Sequence, residues 1–121
     1  MKLMLLIGTG SFIGGTSRYL LSLLMQPRTA SQFPLPTLIV NIIGCFLIGV
    51  AFGISEKGQL SHEWKLFFAT GILGGFTTFS AFSHETIVLF REGYAAHALL
   101  YIFASVMLGL LATYIAYLLV K

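Results

Sequence analysis

The chain has 121 residues, of which 57% are hydrophobic and only 9% charged, where a soluble domain carries roughly 25% Asp, Glu, Lys and Arg. So few charges exclude a water-facing globular surface. The net charge of +3 is spread over Lys2, Arg18, Arg28, Lys57, Lys65, Arg91 and Lys121, which form no basic patch and so argue against nucleic acid as a partner.

Four apolar stretches, residues 3–25, 35–55, 65–91 and 95–120, approach or exceed the roughly 20 residues that a hydrocarbon core of about 30 Å demands. They predict an all-α membrane protein, with residues 1–121 forming a single domain of four transmembrane helices. A chain this small cannot by itself enclose a polar pathway and a lipid-facing shell, so a homo-oligomer in the bilayer is the expectation. In the first stretch, Lys2 followed by Leu3–Ile7 has the look of a signal peptide, but no small-x-small cleavage site follows and Arg18 stands at the would-be junction; residues 1–25 are read as a retained helix. Gly8, Gly10, Gly14 and Gly15 leave a smooth strip, and Gly10-x-x-x-Gly14 is the spacing that lets helices approach closely. Arg18 lies about three-quarters along the helix, where a charge costs up to roughly 2.5–3.5 kcal/mol near mid-bilayer. It either snorkels to the headgroups or lines an aqueous vestibule and raises local anion concentration by its field; the vestibule is preferred, because only Tyr19 accompanies it as an aromatic anchor.

Gln26–Pro34, with Pro27, Arg28, Thr29 and Ser31, reads as a linker, and Pro36 suits the first turn of the second helix. That helix holds one strongly polar side chain, Asn41, which needs a partner in hydrocarbon. It serves as interhelical glue, orients a neighbouring helix, or donates its amide to a permeating anion. Residues 56–63 form a polar loop before the interfacial Trp64. The third stretch carries Gly74-Gly75-Phe76-Thr77-Thr78-Phe79-Ser80-Ala81-Phe82-Ser83, where paired glycines and threonines are expected to break the helix and free backbone carbonyls. Phe79 and Phe82 are three apart and share a face if the segment is helical; Ser80 and Ser83 repeat the spacing, and Glu85 follows. Phenyl edges carry partial positive charge, so the pair suits a small anion as well as it suits core packing. His62-Glu63 and His84-Glu85 lack the second histidine of a zinc helix, and no nucleophile, base and orienting acid come together, so no enzyme is expected. In the fourth stretch His97, Tyr101, Ser105, Gly109, Thr113 and Tyr117 fall every four residues, a stripe that creeps around a helix of 3.6 residues per turn. Only part of it can follow a shared polar track, with Gly109 as a helix contact.

Four spans would put Lys2, Lys57, Lys65 and Lys121 on one side of the membrane and Arg28, Arg91 and Arg18 on the other. Lys and Arg asymmetry sets insertion direction, so this near balance permits both orientations and an antiparallel dimer, unless so few charges simply carry no signal.

With these residues assembled, the chain resembles the Fluc (CrcB) family of small microbial fluoride channels. Residues 10–19, Gly-Ser-Phe-Ile-Gly-Gly-Thr-Ser-Arg-Tyr, are similar to its first-helix motif, and residues 36–44, Pro-Thr-Leu-Ile-Val-Asn-Ile-Ile-Gly, to its second. The Gly-Gly-x-Thr-Thr-Phe-Ser-x-Phe-Ser core at 74–83 is the most specific match, and Tyr101-x-x-x-Ser105-x-x-x-Gly109 fits the fourth helix. The chain departs from the pattern at Ala81, where a small hydroxyl residue is usual, and at Gly10-Ser11, where paired glycines are common. The resemblance implies a dual-topology antiparallel homodimer with two fluoride pores in the cell (inner or plasma) membrane, relieving fluoride toxicity by passive efflux. It implies a pathway of Asn41, Phe79, Phe82, Ser80, Ser83, Tyr101, Ser105 and Thr113, with Arg18 in a vestibule and Glu85 influencing gating or conduction. It also implies a structural sodium ion at the dimer centre, held by backbone carbonyls of Gly74 and Thr77. The alternatives are a proton-coupled small multidrug exporter, for which the first helix lacks the required embedded carboxylate, and a non-transporting membrane scaffold built on the glycine faces.

Overall fold

A computed structural model describes residues 1–25 and 33–121. Residues 26–32 of the expected linker, with Pro27, Arg28, Thr29 and Ser31, lie outside the described residues. Among the described residues there are helices and no strands. Helix α1 runs Lys2–Met25 and α2 Leu35–Glu56, with Pro36 in its first turn, where a missing N–H costs nothing. The next segment starts three residues before the expected position 65. Ser61 caps it by accepting from the Trp64 amide at 3.3 Å, so α3 spans His62–Lys65. A π-helical stretch, Leu66–Leu73, and a short α4, Gly74–Phe76, complete it. Thr77 and Thr78 are extended, at φ −87°, ψ 156° and φ −149°, ψ 120°. Helix α5 then covers Phe79–Arg91 and α6 Ala95–Val120, after turns in which Gly58 (φ 71°) and Gly93 (φ 86°) supply left-handed backbone.

Leu35–Glu56, His62–Arg91 and Ala95–Val120 are long and apolar enough to cross a membrane. Helix α1 matches them in length at 24 residues but is less apolar, because its middle is glycine, serine and threonine. The chain is a multi-pass membrane protein. Its large apolar side chains point outward, Phe12 at 73% and Leu119 at 73% exposure, which suits lipid or a second chain rather than water.

Two pairings position everything else: α2 packs along α6, and α1 along the π-helical stretch and α4. The second is a backbone seam. Gly10 and Gly14 are the buried residues of α1, and a Cβ on Gly10 would stand 2.6 Å from the Phe67 carbonyl oxygen, while one on Gly14 would run into the Ile72 carbonyl. The Gly10-x-x-x-Gly14 spacing is thus used as a contact notch. Gly14→Ala is expected to cost about 1–3 kcal/mol or more by overpacking against unyielding backbone. Thermal unfolding in detergent, followed by intrinsic fluorescence, should show a lowered midpoint for Gly14→Ala and none for Gly8→Ala, whose Cβ would meet nothing within 4 Å. Equal midpoints for the two would refute the seam.

Candidate functional site

The extended pair Thr77–Thr78 interrupts the helical hydrogen bonding from the Thr78 amide onward, and neighbouring residues take up several of the groups this releases. Asn41, on α2, holds Thr78 from both ends: its Nδ2 donates to the Thr78 carbonyl at 3.0 Å, and its Oδ1 accepts from the Thr78 amide at 2.9 Å. A side-chain amide presents a donor and an acceptor side by side, so it replaces the peptide partner that an extended residue has lost. Thr77 satisfies itself locally, its amide and its Oγ1 both donating to the Leu73 carbonyl, at 3.0 and 2.9 Å. The Thr78 hydroxyl caps α5 by accepting from the Ala81 amide at 3.1 Å and lies 3.2 Å from the Ser80 hydroxyl. Gly44 makes room for the break, since a Cβ there would strike the Thr77 methyl.

Had the helix continued, the Thr78 amide would have donated to the Gly74 carbonyl. It goes to Asn41 instead, so Gly74 loses that donor. Arg18 Nε donates to the neighbouring Gly75 carbonyl at 3.3 Å, which brings the half-buried guanidinium from α1 to the edge of the break. The first turn of α5 faces the break with amides that have no partner within the helix, Ala81's being the one that Thr78 caps, and with the positive end of a 13-residue helix dipole.

Beside the break lies a cavity of about 390 Å³. Asn41, Gly74, Thr77, Phe79, Phe82 and Ser105 all line it, together with Thr78, Gly44, Cys45, Val106 and apolar neighbours; none of its lining residues is charged. The Phe79 and Phe82 rings lie 5.4 Å apart, tilted by 46°, and Phe79 is 78% exposed within the single chain. Ser105 contributes a buried hydroxyl with no hydrogen-bond partner. Such a site offers polarised hydrogens without a fixed charge, which suits an ion that must be partly stripped of water and then released.

The other residues singled out in the sequence stand around this cavity rather than on its wall. The Tyr101 ring is fully buried against Phe82 (5.0 Å between centroids) and meets Phe33 edge-on (5.6 Å), and its hydroxyl donates to Glu85 Oε1 at 3.1 Å. Thr113 donates to the Cys45 carbonyl at 2.9 Å and so joins α6 to α2. Ser80 bonds within the cap, and Ser83 is exposed on α5. The four-residue stripe of α6 therefore winds from α5 at Tyr101, past the cavity at Ser105, to α2 at Gly109 and Thr113, and ends with Tyr117 donating to Glu56 at 2.6 Å. Two residues acquire roles that sequence reasoning did not assign. Thr78 carries both the amide pair with Asn41 and the cap of α5, and its side chain beside a paired-glycine break was the available signal. Cys45, the single cysteine of the chain, lines the cavity, and nothing local in the sequence pointed to that.

The CrcB-like protein family, Camphor Resistance (CrcB), matches residues 5–117. The chain is 45% identical to the fluoride-specific ion channel FluC of Thermus thermophilus, over 97% of this chain and 94% of that one. It is 44% identical to the protein of the same name from Methylobacillus flagellatus, covering 97% and 93% of the two chains. To that from Flavobacterium psychrophilum it is 43% identical, over 100% and 98%.

Proposed function

The chain belongs to the CrcB-like family, and on that footing we propose that it is a fluoride-selective channel, not an enzyme, through which fluoride leaves the cytoplasm passively. The observation that carries the reading is the uncharged cavity beside the helix break, which Asn41, Phe79, Phe82 and Ser105 line together. Hydrogen fluoride is a weak acid that crosses lipid neutral and ionises in a near-neutral interior, which traps the anion. An inside-negative potential drives the anion out through any selective pore, so no energy coupling is required. Fluoride holds its water strongly, and neutral donors replace that water at close range without binding the ion too tightly to let it go. Asn41 Nδ2 carries two protons and spends one on Thr78, and the ring edges of Phe79 and Phe82 carry partial positive charge. Arg18, at the edge of the break, raises the local anion concentration as a vestibule residue. Glu85, holding the Tyr101 hydroxyl, influences conduction through the ring that Phe82 packs on. Ser80 and Ser83 extend the hydroxyl track, and Thr113, whose proton goes to the Cys45 carbonyl, supports the α2 wall beside it.

The working unit in this reading is an antiparallel homodimer of four-span chains, each with its third span interrupted at Thr77–Thr78, in the cell membrane. Support comes from Phe79, whose ring is left largely uncovered by its own chain, and from the near balance of Lys and Arg across the spans. A sodium ion fits the break by donor type: the Gly74 carbonyl is released from its helical donor, and oxygen is the donor a hard cation takes. Gly74 and Thr77 would hold it, with the same pair from a second copy, and it would neutralise carbonyl dipoles turned toward one another.

Liposomes loaded with fluoride and bearing the purified protein are expected to discharge it into the medium once a potassium ionophore clamps the potential, with chloride retained. A fluoride electrode and a chloride electrode read the two ions, and either no fluoride release or equal release of both would overturn the assignment.

A further inference from the structure

Helix α1 and the third span run parallel, because Gly10 abuts Phe67 and Gly71 while Gly14 abuts Ile72 and Phe76. Followed back to the first turns, that register sets Lys2 beside Glu63, with Lys2 Nζ 2.7 Å from Glu63 Oε2. Leu6 and Phe67 each stand four residues further on, on the same face and about 6 Å deeper at 1.5 Å per residue. Lys2, Leu6, Glu63, Trp64 and Phe67 line a hollow of about 290 Å³ that shares no residue with the cavity at the break. Just past Phe67 the two backbones touch, since a Cβ on Gly10 would stand 2.6 Å from the Phe67 carbonyl oxygen. From its mouth inward the hollow thus offers a pair of opposite charges and then hydrocarbon.

Neither charge is saturated by the other. The Lys2 and Glu63 side chains are 76% and 49% exposed, an ammonium has three N–H donors, and a carboxylate has a second oxygen. An ion pair so exposed adds little to the fold, so stability gives it no strong reason to stand over an apolar hollow. Trp64 is 52% exposed and is held by Phe67, edge-on at 5.9 Å, and Phe68, stacked at 5.4 Å, at the level where indoles settle in a bilayer.

We propose that this hollow binds one ethanolamine phospholipid, its phosphate on Lys2, its primary ammonium on Glu63 and the start of an acyl chain along Leu6, Phe67 and Trp64. The inference does not depend on which ion the protein conducts. The headgroup carries one negative and one positive charge in succession, the Lys2–Glu63 pair with signs reversed, so two further charge-assisted hydrogen bonds form and no charge is left over. Phosphatidylcholine has a phosphate but no N–H on its trimethylated nitrogen, and phosphatidylglycerol has a phosphate and no cation. Of the three, phosphatidylethanolamine alone serves both side chains.

The chain has a single tryptophan, so its fluorescence reads the wall of this hollow and nothing else. The full chain is reconstituted in phosphatidylcholine vesicles containing a graded fraction of a lipid with brominated acyl chains, which quench indole on contact, under an ethanolamine, choline or glycerol headgroup. Brominated phosphatidylethanolamine is expected to reach half-quenching at a mole fraction about threefold lower than either of the others, the scale of one exposed ion pair. Glu63→Gln should abolish that preference over phosphatidylcholine, and Lys2→Gln should weaken it. Glu56→Gln, which removes a carboxylate at the far end of α2, should leave it intact. Unfolding midpoints in detergent without added phospholipid should be the same for Glu63→Gln and the unsubstituted chain, which separates lost recognition from a damaged fold. Equal quenching under all three headgroups would overturn the proposal, as would phosphatidylglycerol matching phosphatidylethanolamine, because Glu63 would then recognise nothing. A preference that survives Glu63→Gln, or that Glu56→Gln removes equally, would overturn it too.

Discussion

Fluoride efflux through Asn41→Asp is expected to fall by roughly a thousandfold, because the substitution changes the hydrogen bonding of the break and the charge of the cavity together. Asp keeps an acceptor for the Thr78 amide, but it turns an oxygen toward the Thr78 carbonyl where Nδ2 donated at 3.0 Å. An unpaired carbonyl costs about 1–3 kcal/mol, which the fold can absorb. The charge is the larger effect. A carboxylate about 4 Å from a passing anion repels it by about 4 kcal/mol at an effective dielectric constant of about 20, and each 1.36 kcal/mol is a factor of about ten. Asn41→Leu separates the two contributions, since it leaves the cavity neutral but strips both Thr78 groups of their partner. It should show its deficit first in thermal stability, and Asn41→Asp first in efflux. Efflux through Asn41→Asp equal to that of the unsubstituted chain would remove Asn41 from the pathway.

Phe79→Ile and Phe82→Ile are the second large effect, and the two differ instructively. Phe79 is 78% exposed within its own chain, so an aliphatic side chain there should leave the fold of the subunit intact. What it removes is the positive ring edge, and each 1.4 kcal/mol of that interaction lost at the anion is about tenfold in occupancy. Phe82 also packs on Tyr101 at 5.0 Å, so Phe82→Ile additionally loses an aromatic pairing of about 0.5–1.5 kcal/mol. The expected outcome is loss of efflux in both variants, with glutaraldehyde crosslinking in liposomes still trapping a pair of chains. Undiminished efflux from either variant would assign its ring to packing alone.

Much of the site is legible in the sequence because the bilayer constrains sequence so strongly. Glycines, threonines and serines in the middle of an apolar stretch are costly in lipid unless something uses them, which is why residues 74–83 stand out from the amino-acid order alone. Gly10 and Gly14 are legible for a similar reason, since glycine at a spacing of four on a membrane helix has close packing as its main use. The roles of Asn41, Cys45 and Thr113 are not. Asn41 plainly needs a partner, yet three kinds of partner satisfy that need equally, and the one it finds is a backbone 37 residues away. Thr113 reads as one step of a hydroxyl stripe, but the helix turns it toward the Cys45 carbonyl, 68 residues away, and off the cavity wall. The start of the third span at His62 rather than 65 comes from the Ser61 cap, a local signal that the hydropathy pattern overlooks.

By itself, then, the order of residues determined a multi-pass helical membrane protein with a polar interruption late in the chain, because length, apolar content and the intolerance of lipid for unpaired backbone are properties that each stretch carries alone. The tertiary structure decided which polar groups the interruption would use for itself and which it would leave unpaired. Asn41 became the partner of Thr78, Tyr101 that of Glu85, and Ser105 was left unpaired. A hydrogen bond joins whatever the packing of helices brings within about 3 Å, and that distance is set by contacts such as α2 on α6 and by no stretch in isolation.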